Sequence, residues 1–287
     1  MRLSVVIPCY NSADTLSELL ESLEIQECNY PWEIIIADNG STDNTIEAAL
    51  SFSNKFKNFK VITADEKKGC GYARNQGVEY SSGDYLLFCD SDDVVGKNWL
   101  ATMAGAFLNY DFIACRWEIE ELNDGSVVRS RGKGQTKGLM DFAVVRYLPY
   151  ASGGTLGIKK SIHEKIGGFD ESDILEDIDY CWRVQLAGTD LHFIADTVMH
   201  MRYRPNMWKT LKQSINWASY NVLLYKKFKN KGMPEYSHKQ SLVTLYRYFK
   251  KLYQLFSEKY KQRYIWKTGM ILGSIWGSIK YHIFLIH

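Results

Sequence analysis

Residues 84–93 read DYLLFCDSDD, a short apolar run that ends in a cluster of carboxylates. An uninterrupted apolar run of this length predicts a buried strand over residues 84–89. The carboxylates of Asp90, Asp92 and Asp93 follow at the end of that strand. In open sheets of alternating strands and helices, ligands bind beyond the carboxyl ends of the strands. The stretch therefore predicts a buried strand with a ligand site directly after it.

The residues before this stretch alternate between strand and helix patterns. That order predicts an α/β fold with a mostly parallel central sheet flanked by helices. Because the carboxyl ends of parallel strands meet at one edge, we expect Tyr10, Asn11 and Asp38 to lie near Asp90. The predicted strands are residues 3–9, 32–37 and 59–63, and the predicted helices are residues 14–26, 43–55 (with Ser41 or Thr42 as N-cap) and 71–82.

Beyond residue 110 the pattern is mixed, and from residue 208 onward it is helical, aromatic and basic. Residues 1–204 carry 20 Lys and Arg against 31 Asp and Glu, a net charge of −11, whereas residues 205–287 carry 15 against 2, a net charge of +13. This asymmetry predicts an anionic partner for the tail. Strands are predicted over residues 112–117, 152–159 and 191–203, and a helix over residues 176–187 that stops at Gly188.

The six cysteines show neither CxxC spacing nor histidine partners at zinc-finger spacing. This favours reduced, mostly buried thiols in a cytosolic protein over a disulfide framework. We expect no secretory signal, because Pro8 ends the first apolar run too early. We also expect no transmembrane helix, because the most apolar late stretch, residues 268–279, is too short to cross a bilayer.

Residues 90–93 have the composition of a cation site. Their carboxylates can hold one Mg²⁺ or Mn²⁺ if a pyrophosphate supplies the remaining oxygens, and the alternative is a solvated acidic turn that caps the helix after it. Asp38 can accept a hydrogen bond from a nucleobase imide or a ribose hydroxyl, or it can close an Asx turn. His200 is structural by default and becomes a metal-ligand candidate only if the sheet brings it near Asp92.

Two further motifs combine charge with a helix start. Arg74 follows two glycines and can contact a diphosphate or a base, with a surface salt bridge as the alternative. The helix macrodipole alone favours acidic residues at the start of the helix that begins at Glu176. Spacing nevertheless separates their roles, because Glu176 and Asp179 share a face on which Asp179 can pair with Arg183. Asp177 points elsewhere and is free to act as a general base.

Five motifs in this order resemble glycosyltransferase family 2, whose members have the GT-A fold. The resemblance runs from residue 3 to about residue 187. It implies a catalytic domain over residues 1–204, with a nucleotide-binding half (1–110) and an acceptor-binding half (111–204), followed by a helical C-terminal extension over residues 205–287. The matching stretches are residues 5–11 (VVIPCYN), 37–43 (ADNGSTD), 73–77 (ARNQG), 90–93 (DSDD) and 167–170 (GGFD), the last leading to Glu176 and Asp177.

The resemblance implies inverting transfer of one sugar from a nucleotide-diphosphate sugar of the UDP or dTDP type to an acceptor hydroxyl. Asp177 matches the catalytic base, Asp92 matches a ligand of the Mn²⁺ or Mg²⁺ cofactor, and His200 matches a second ligand more loosely. No QxxRW motif is present, so the chain does not resemble a processive synthase. The implied donor-binding residues are Pro8, Tyr10, Asn11, Asp38, Arg74, Asp90 and Ser91, and the implied acceptor-binding residues are Gly153, Gly154 and Glu176.

The tail, residues 208–287, predicts helices that dock the protein on the anionic inner face of the cell membrane, where the acceptor is a lipid-linked or cell-surface glycan. Gly269, Gly273 and Gly277 recur at four-residue spacing, which favours close helix packing or a homodimer. The alternative is an ordinary amphipathic helix packed on the domain. We expect no nucleic-acid partner, because the body is acidic and carries no RNA-binding motif.

Two other functions compete with sugar transfer. A sugar-phosphate nucleotidyltransferase shares a similar sheet but opens with a glycine-rich phosphate loop, where this chain has PCYNS at residues 8–12. A non-catalytic sugar-binding module would not need intact Asp92 and Asp177. A dehydrogenase is disfavoured because no GxGxxG motif follows the first strand.

Overall fold

The computed structural model describes residues 1–125, 127–128, 134–171, 174–203, 206–256 and 260–287. The chain divides into two compact units. Unit 1 comprises Met1–Leu122, Gly134–Met140 and Pro149–Arg202, and unit 2 comprises Asn123–Lys133, Asp141–Leu148 and Tyr203–His287. Two short segments of the first 204 residues thus belong to the same unit as the tail.

Unit 1 is built on one sheet, of which nine strands lie within the described residues. The strands are β1 (Leu3–Cys9), β2 (Trp32–Asp38), β3 (Phe59–Thr63), β4 (Tyr85–Phe88), β5 (Val94–Val95), β6 (Phe112–Glu118), β7 (Gly134–Gln135), β8 (Leu156–Lys159) and β9 (His192–His200). The helices are α1 (Leu16–Glu24), α2 (Thr45–Leu50), α3 (Cys70–Glu79), α4 (Trp99–Ala106), α5 (Lys160–Ile166) and α6 (Glu176–Leu186), with a 3₁₀ turn at Gly153–Thr155.

The strand order is β3-β2-β1-β4-β8-β6-β9-β5, with β7 paired to β6. β1 pairs in parallel with β2 and β4, and β2 pairs in parallel with β3, as the alternating sequence predicts. The second half departs from the mostly parallel prediction. There β8 runs antiparallel to both β4 and β6, and β5 runs antiparallel to β9, while β6 and β9 are parallel. The sheet is therefore mixed, and its parallel half carries the predicted ligand edge.

Hydrophobic pattern accounts for the core around β1. All seven residues of β1 are buried, because a central strand of a parallel sheet is covered on both faces. A glycine allows α3 to approach this strand closely, since a Cβ on Gly77 would lie 2.4 Å from Val6 Cγ1. α1 turns its leucines inward at helical spacing, and Leu16, Leu19, Leu20 and Leu23 are all buried.

Some element boundaries differ from the prediction because polar side chains form loops there. α2 covers Thr45–Leu50 rather than residues 43–55, and neither Ser41 nor Thr42 caps it. The strand predicted over residues 152–159 begins at Leu156, after the 3₁₀ turn. The predicted stop of α6 is confirmed, since Gly188 has a left-handed φ of 96°.

Unit 2 contains the helices α7 (Met207–Phe228), α8 (His238–Lys250) and α9 (Lys261–Tyr281), which confirms the predicted helical tail. α9 packs against α7 along its glycine stripe, and a Cβ on Gly273 would lie 2.1 Å from the carbonyl oxygen of Ile215. The predicted close helix packing is therefore made within the chain. The homodimer prediction depended on the same three glycines. Because their face of α9 is covered by α7, a second copy of the chain cannot pack against it.

The six cysteines are unpaired, as predicted. Four are buried, Cys28 is partly buried and Cys70 at the start of α3 is exposed, so the group is mostly buried as predicted. Within the described ranges, no helix is both long enough and apolar enough to span a bilayer.

Gly273→Ala is expected to destabilise the protein by about 1–3 kcal/mol, because the new methyl group would overlap a backbone carbonyl of α7 that cannot move independently. Denaturant unfolding measures the change. The matched control is Gly105→Ala in α4, where a Cβ meets nothing within 4 Å, and it should instead stabilise by about 0.5–1 kcal/mol. Equal stability of Gly273→Ala and the parent would contradict this packing.

Candidate active site

Asn11 ties together the loops that follow β1 and β2. It has a left-handed φ of 51°, a conformation that Asn tolerates better than most residues. Its backbone N–H donates to Ser41 Oγ at 3.0 Å, and its Oδ1 accepts from the backbone N–H of Thr42 at 2.8 Å. Pro8 is buried within β1. Asn11 and Pro8 therefore shape this edge of the sheet, and their predicted contacts with a donor remain predictions.

Asp38 and Tyr10 differ in exposure at the same edge. Asp38 is 2% exposed, and its Oδ2 accepts backbone N–H groups from Gly40 and Ser41 at 3.1 Å each, which is the Asx-type turn considered from sequence. Its buried Oδ1 has no hydrogen-bond partner among the described residues. Tyr10 is half exposed, with Lys68 Nζ 5.1 Å from the centre of its ring. This edge thus offers an acceptor atom beside an exposed aromatic ring.

The guanidinium of Arg74 joins two segments that are distant in sequence. Arg74 lies on α3 and is 2% exposed. Its Nη2 donates to Asp90 Oδ1 at 2.6 Å, and its Nη1 donates to Glu176 Oε1 at 2.8 Å. Because Asp90 follows β4 and Glu176 begins α6, this bridge fixes the start of α6 against the carboxyl end of β4. The guanidinium is buried and both ion pairs are partly buried, unlike the surface salt bridge considered from sequence.

The Arg74–Asp90 ion pair lies against the three predicted acceptor-binding residues, Gly153, Gly154 and Glu176. A Cβ on Gly153 would lie 2.6 Å from Arg74 Nη1, and a Cβ on Gly154 would lie 2.8 Å from Asp90 Oδ2. The two glycines therefore let the backbone approach the ion pair, and their predicted contact with an acceptor remains a prediction. Glu176 is also engaged with Arg74, and its side chain is only 14% exposed.

The acidic start of α6 divides as its spacing predicts. Arg183 Nε donates to Asp179 Oδ2 at 2.5 Å, and Asp179 is fully buried. Asp177 does not join that pair, and its Oδ1 accepts from the backbone N–H of Ile178 at 2.8 Å. Asp177 is therefore separated from the helix-stabilising ion pair, as a general base requires.

Carboxyl groups crowd around Arg74, and this crowding changes their acidity. Burial raises the pKa of Glu176 to about 7, although the charge of Arg74 lowers it and that of Asp177 raises it further. Burial also raises the pKa of Asp177, with Arg74 opposing the rise and Asp90 adding to it. A carboxylate whose pKa lies closer to neutrality is a stronger general base than an ordinary aspartate.

Residues 90–93 do not form a solvated turn. Asp93 is buried and its Oδ1 accepts from the backbone N–H of Arg202 at 3.1 Å, while burial raises its pKa, with the charges of Asp90 and Asp92 adding to the rise. Ser91 is also buried, and its hydroxyl lies 2.7 Å from that of Ser12. Ser91 therefore contacts the loop after β1, and its predicted contact with a donor remains a prediction.

Arg202 is a residue of this site that the sequence interpretation missed. Its Nε donates to the backbone carbonyl of Asp92 at 3.2 Å, and its Nη2 donates to Glu18 Oε2 at 2.6 Å. It brings a positive charge to the acidic stretch from the end of β9. The available signal was its position two residues after His200, directly beyond an apolar strand.

His200 lies beside the acidic stretch, because the β5–β9 register pairs it with Val94, two residues after Asp92. Its Nδ1 hydrogen-bonds with Glu118 Oε1, an arrangement that orients metal-binding histidines through the other ring nitrogen. Within the described ranges, no three His, Cys, Asp or Glu side chains are grouped to hold a metal. A hard cation bound at Asp92 and His200 would thus need phosphate oxygens to complete its coordination, which is usual for Mg²⁺.

Comparison with known proteins finds a family model that matches more than half of the chain and ends before Glu176. The sequence model of "Glycosyl transferase family 2" matches residues 4–167. Glycosyltransferase AglE of Haloferax volcanii is 29% identical over 202 residues, which cover 66% of this chain and 59% of that protein. The Escherichia coli protein WfgD, a UDP-Glc:alpha-D-GlcNAc-diphosphoundecaprenol beta-1,3-glucosyltransferase, is 33% identical over 127 residues, which cover 44% of this chain and 48% of that protein. The matches thus span about half of these two relatives.

The fold of this chain is similar to that of a solved mannosyltransferase structure. Mannosyltransferase PcManGT from Pyrobaculum calidifontis, in complex with GDP-Man and Mn²⁺, superposes with a TM-score of 0.65. The match covers 96% of this chain and 86% of that chain at 15% sequence identity. The likeness confirms the predicted GT-A fold, with its mixed sheet flanked by helices.

Arg74→Met is expected to lower the free energy of unfolding by about 3–5 kcal/mol, because it leaves Asp90 and Glu176 partly buried without their cation. The matched control is Lys55→Met, which breaks an ion pair with Glu24. The side chains of Lys55 and Glu24 are 43% and 36% exposed, so the free energy of unfolding should fall by less than about 1 kcal/mol. Urea unfolding of both variants decides the matter. Equal losses would mean that the buried bridge does not organise the site.

Glu176→Gln is expected to change the pH dependence of stability. The folded-state pKa of Glu176, about 7, lies above the ordinary value of 4.5, so ionising this carboxyl opposes folding. The parent should therefore lose up to about 3 kcal/mol of stability relative to Glu176→Gln as pH rises from about 4.5 to 7. Urea unfolding at several pH values measures the difference. A difference that is independent of pH would contradict the assigned shift.

Proposed function

The chain belongs to glycosyl transferase family 2, and from that membership we propose that it transfers a single sugar from a nucleotide-diphosphate sugar to an acceptor hydroxyl. One observation carries the proposal. The Arg74 bridge holds Asp90, at the end of β4, next to Glu176 and Asp177, at the start of α6. A residue suited to remove a proton thus adjoins the edge where a nucleotide would bind in this fold.

A UDP-type or dTDP-type donor fits the edge formed by β1 and β2. Asp38 Oδ1 is a buried acceptor without a partner among the described residues, and an imide N–H of a uracil or thymine base can satisfy it. Tyr10 offers an exposed ring on which a base can stack. The printed name of WfgD, which includes UDP-Glc, supports the same donor class.

A divalent cation, Mn²⁺ or Mg²⁺, fits Asp92 and His200, with the donor diphosphate completing the coordination. The Glu118–His200 hydrogen bond supports this assignment, because it leaves Nε2 as the ligating nitrogen. When bound, such a cation offsets the negative charge that develops on the departing diphosphate. PcManGT, which has the same fold, was solved with Mn²⁺.

Asp177 acts as the general base in the proposed reaction. It removes the proton of the acceptor hydroxyl while that oxygen attacks the anomeric carbon, and the bond between this carbon and the diphosphate oxygen breaks. The electron pair of the broken bond leaves with the nucleoside diphosphate. Because attack occurs opposite the leaving group in a single displacement, the anomeric configuration is inverted. The raised pKa of Asp177 suits this role, since burial strengthens it as a base.

The acceptor is proposed to be a lipid-linked or cell-surface glycan at the cytoplasmic face of the membrane. The basic tail supports an anionic membrane partner, with a net charge of +13 over residues 205–287. WfgD, by its printed name, acts on a sugar linked to diphosphoundecaprenol. The tail would then hold the protein peripherally beside a membrane-bound acceptor.

Asp177→Asn is expected to reduce turnover by roughly 10²–10⁴-fold with little change in donor affinity, because the amide keeps the shape but cannot accept the proton. Release of UDP from a panel of UDP-sugars with Mn²⁺ measures turnover, and calorimetric titration measures donor affinity. Asp196→Asn, at an exposed position of β9, is the control and should retain parent activity. Undiminished turnover in Asp177→Asn would reject the assignment of the base. Donor binding without any turnover by the parent would instead favour a non-catalytic sugar-binding module.

A further inference from the structure

α8 in unit 2 borders a cavity of about 420 Å³ that the proposed reaction does not use. Its α8 side is mostly polar, and its lining includes the imidazole of His287, which hydrogen-bonds with Asn221 and Ser274. The lining residues are Ala143, Val144, Tyr236, Lys239, Gln240, Val243, Thr244, Arg247 and His287. We call this cavity the α8 groove.

The positive charge of the α8 groove comes from Lys239 and Arg247. They are eight residues apart on α8, so they occupy the same helix face two turns apart, with Val243 between them. Neither side chain makes a hydrogen bond or ion pair with the rest of the described chain, and no Asp or Glu lines the groove. Two unpaired cations over one cavity favour an anionic ligand, and a phosphate group fits Arg and Lys donors well.

An apolar stripe runs along the same helix beside the α8 groove. Leu242, Tyr246 and Phe249 recur at positions i, i+4 and i+7, and their exposed fractions are 68%, 64% and 64%. Large apolar side chains aligned on one exposed helix face mark an interaction surface. A helix that combines such a stripe with basic residues is typical of segments that lie in the membrane interface.

We propose that the α8 groove binds the phosphate of an anionic lipid headgroup while the stripe of Leu242, Tyr246 and Phe249 enters the lipid surface. The proposal deepens the membrane association proposed above and rests on it, but it does not depend on the identity of the sugar. Arg247 and Lys239 contact the phosphate oxygens, and Thr244 and Gln240 supply further polar contacts. Because α8 carries both basic residues and exposed apolar residues, it favours binding to a bilayer with exposed phosphates over binding to a neutral surface or to a protein.

Co-sedimentation with vesicles tests the proposal on the full chain. The probes are vesicles of phosphatidylcholine alone and vesicles with equal parts of phosphatidylcholine and phosphatidylglycerol. The parent should bind only the second kind, and Lys239→Gln/Arg247→Gln should weaken that binding at least tenfold. The matched control is Lys209→Gln/Lys212→Gln, which removes the same charge from α7 and should bind within about twofold of the parent. Equal weakening in both double variants would overturn the groove, because it would mean diffuse attraction to the whole basic tail.

Further arms separate the apolar stripe and the source of the phosphate. Tyr246→Ser/Phe249→Ser should weaken vesicle binding, whereas Leu272→Ser/Ile279→Ser on the exposed face of α9 should not. The reverse result would assign the membrane contact to α9 and overturn the proposal. If the parent ignores anionic vesicles while inorganic phosphate raises its melting temperature, the groove binds free phosphate and the lipid assignment is wrong. UDP release from a UDP-sugar by the same variants distinguishes this failure from failure of sugar transfer, since groove variants should keep parent turnover.

Discussion

The buried guanidinium of Arg74 is the constraint on which the site depends. It forms ion pairs with Asp90, which follows β4, and with Glu176, which begins α6. Between these two segments the chain passes from the parallel half of the sheet to the half that contains antiparallel strands. A lysine could not form both bonds with the same geometry, because only the planar guanidinium presents donors in a fixed fork. Gly153 and Gly154 are required by the same bridge, since any Cβ there would overlap Arg74 or Asp90. An edge of the sheet built in this way has a defined shape before any ligand binds.

The acidic groups around this bridge show how a stable fold can hold carboxyl groups with raised pKa values. Asp93, Glu176 and Asp177 are all buried enough that desolvation raises their pKa values, and Arg74 and Arg202 each compensate part of the negative charge. The remaining imbalance favours a ligand that brings positive charge to the edge. It also keeps Asp177 more basic than an exposed aspartate, which is the property that proton removal from a hydroxyl requires.

The sequence predicted the parallel half of the sheet well because local pattern determines it. β1 and β3 occupy the predicted residues, since β1 is a buried apolar run and β3 is rich in aromatic and β-branched residues. The antiparallel insertion of β8 between β4 and β6 was not predictable, because strand pairing is set by tertiary contacts. For the same reason, the motif around Arg74 could be found in the sequence, but the ion pair between Arg74 and Glu176, which lie 102 residues apart, could not be predicted. The close approach of Gly153 and Gly154 to Arg74 and Asp90 was not predictable either, because the reason for a glycine lies in its spatial neighbours.

In the proposed reaction, Asp38, Asp92 and Asp177 all face one bound donor. A crystal structure of the protein with UDP and Mn²⁺ tests this claim most directly. We expect the uracil ring at Asp38, the diphosphate and the cation at Asp92, and the carboxylate of Asp177 facing the side from which an acceptor would attack. A nucleotide bound elsewhere in unit 1, or one whose diphosphate lies beyond the reach of both Asp92 and Asp177, would contradict it.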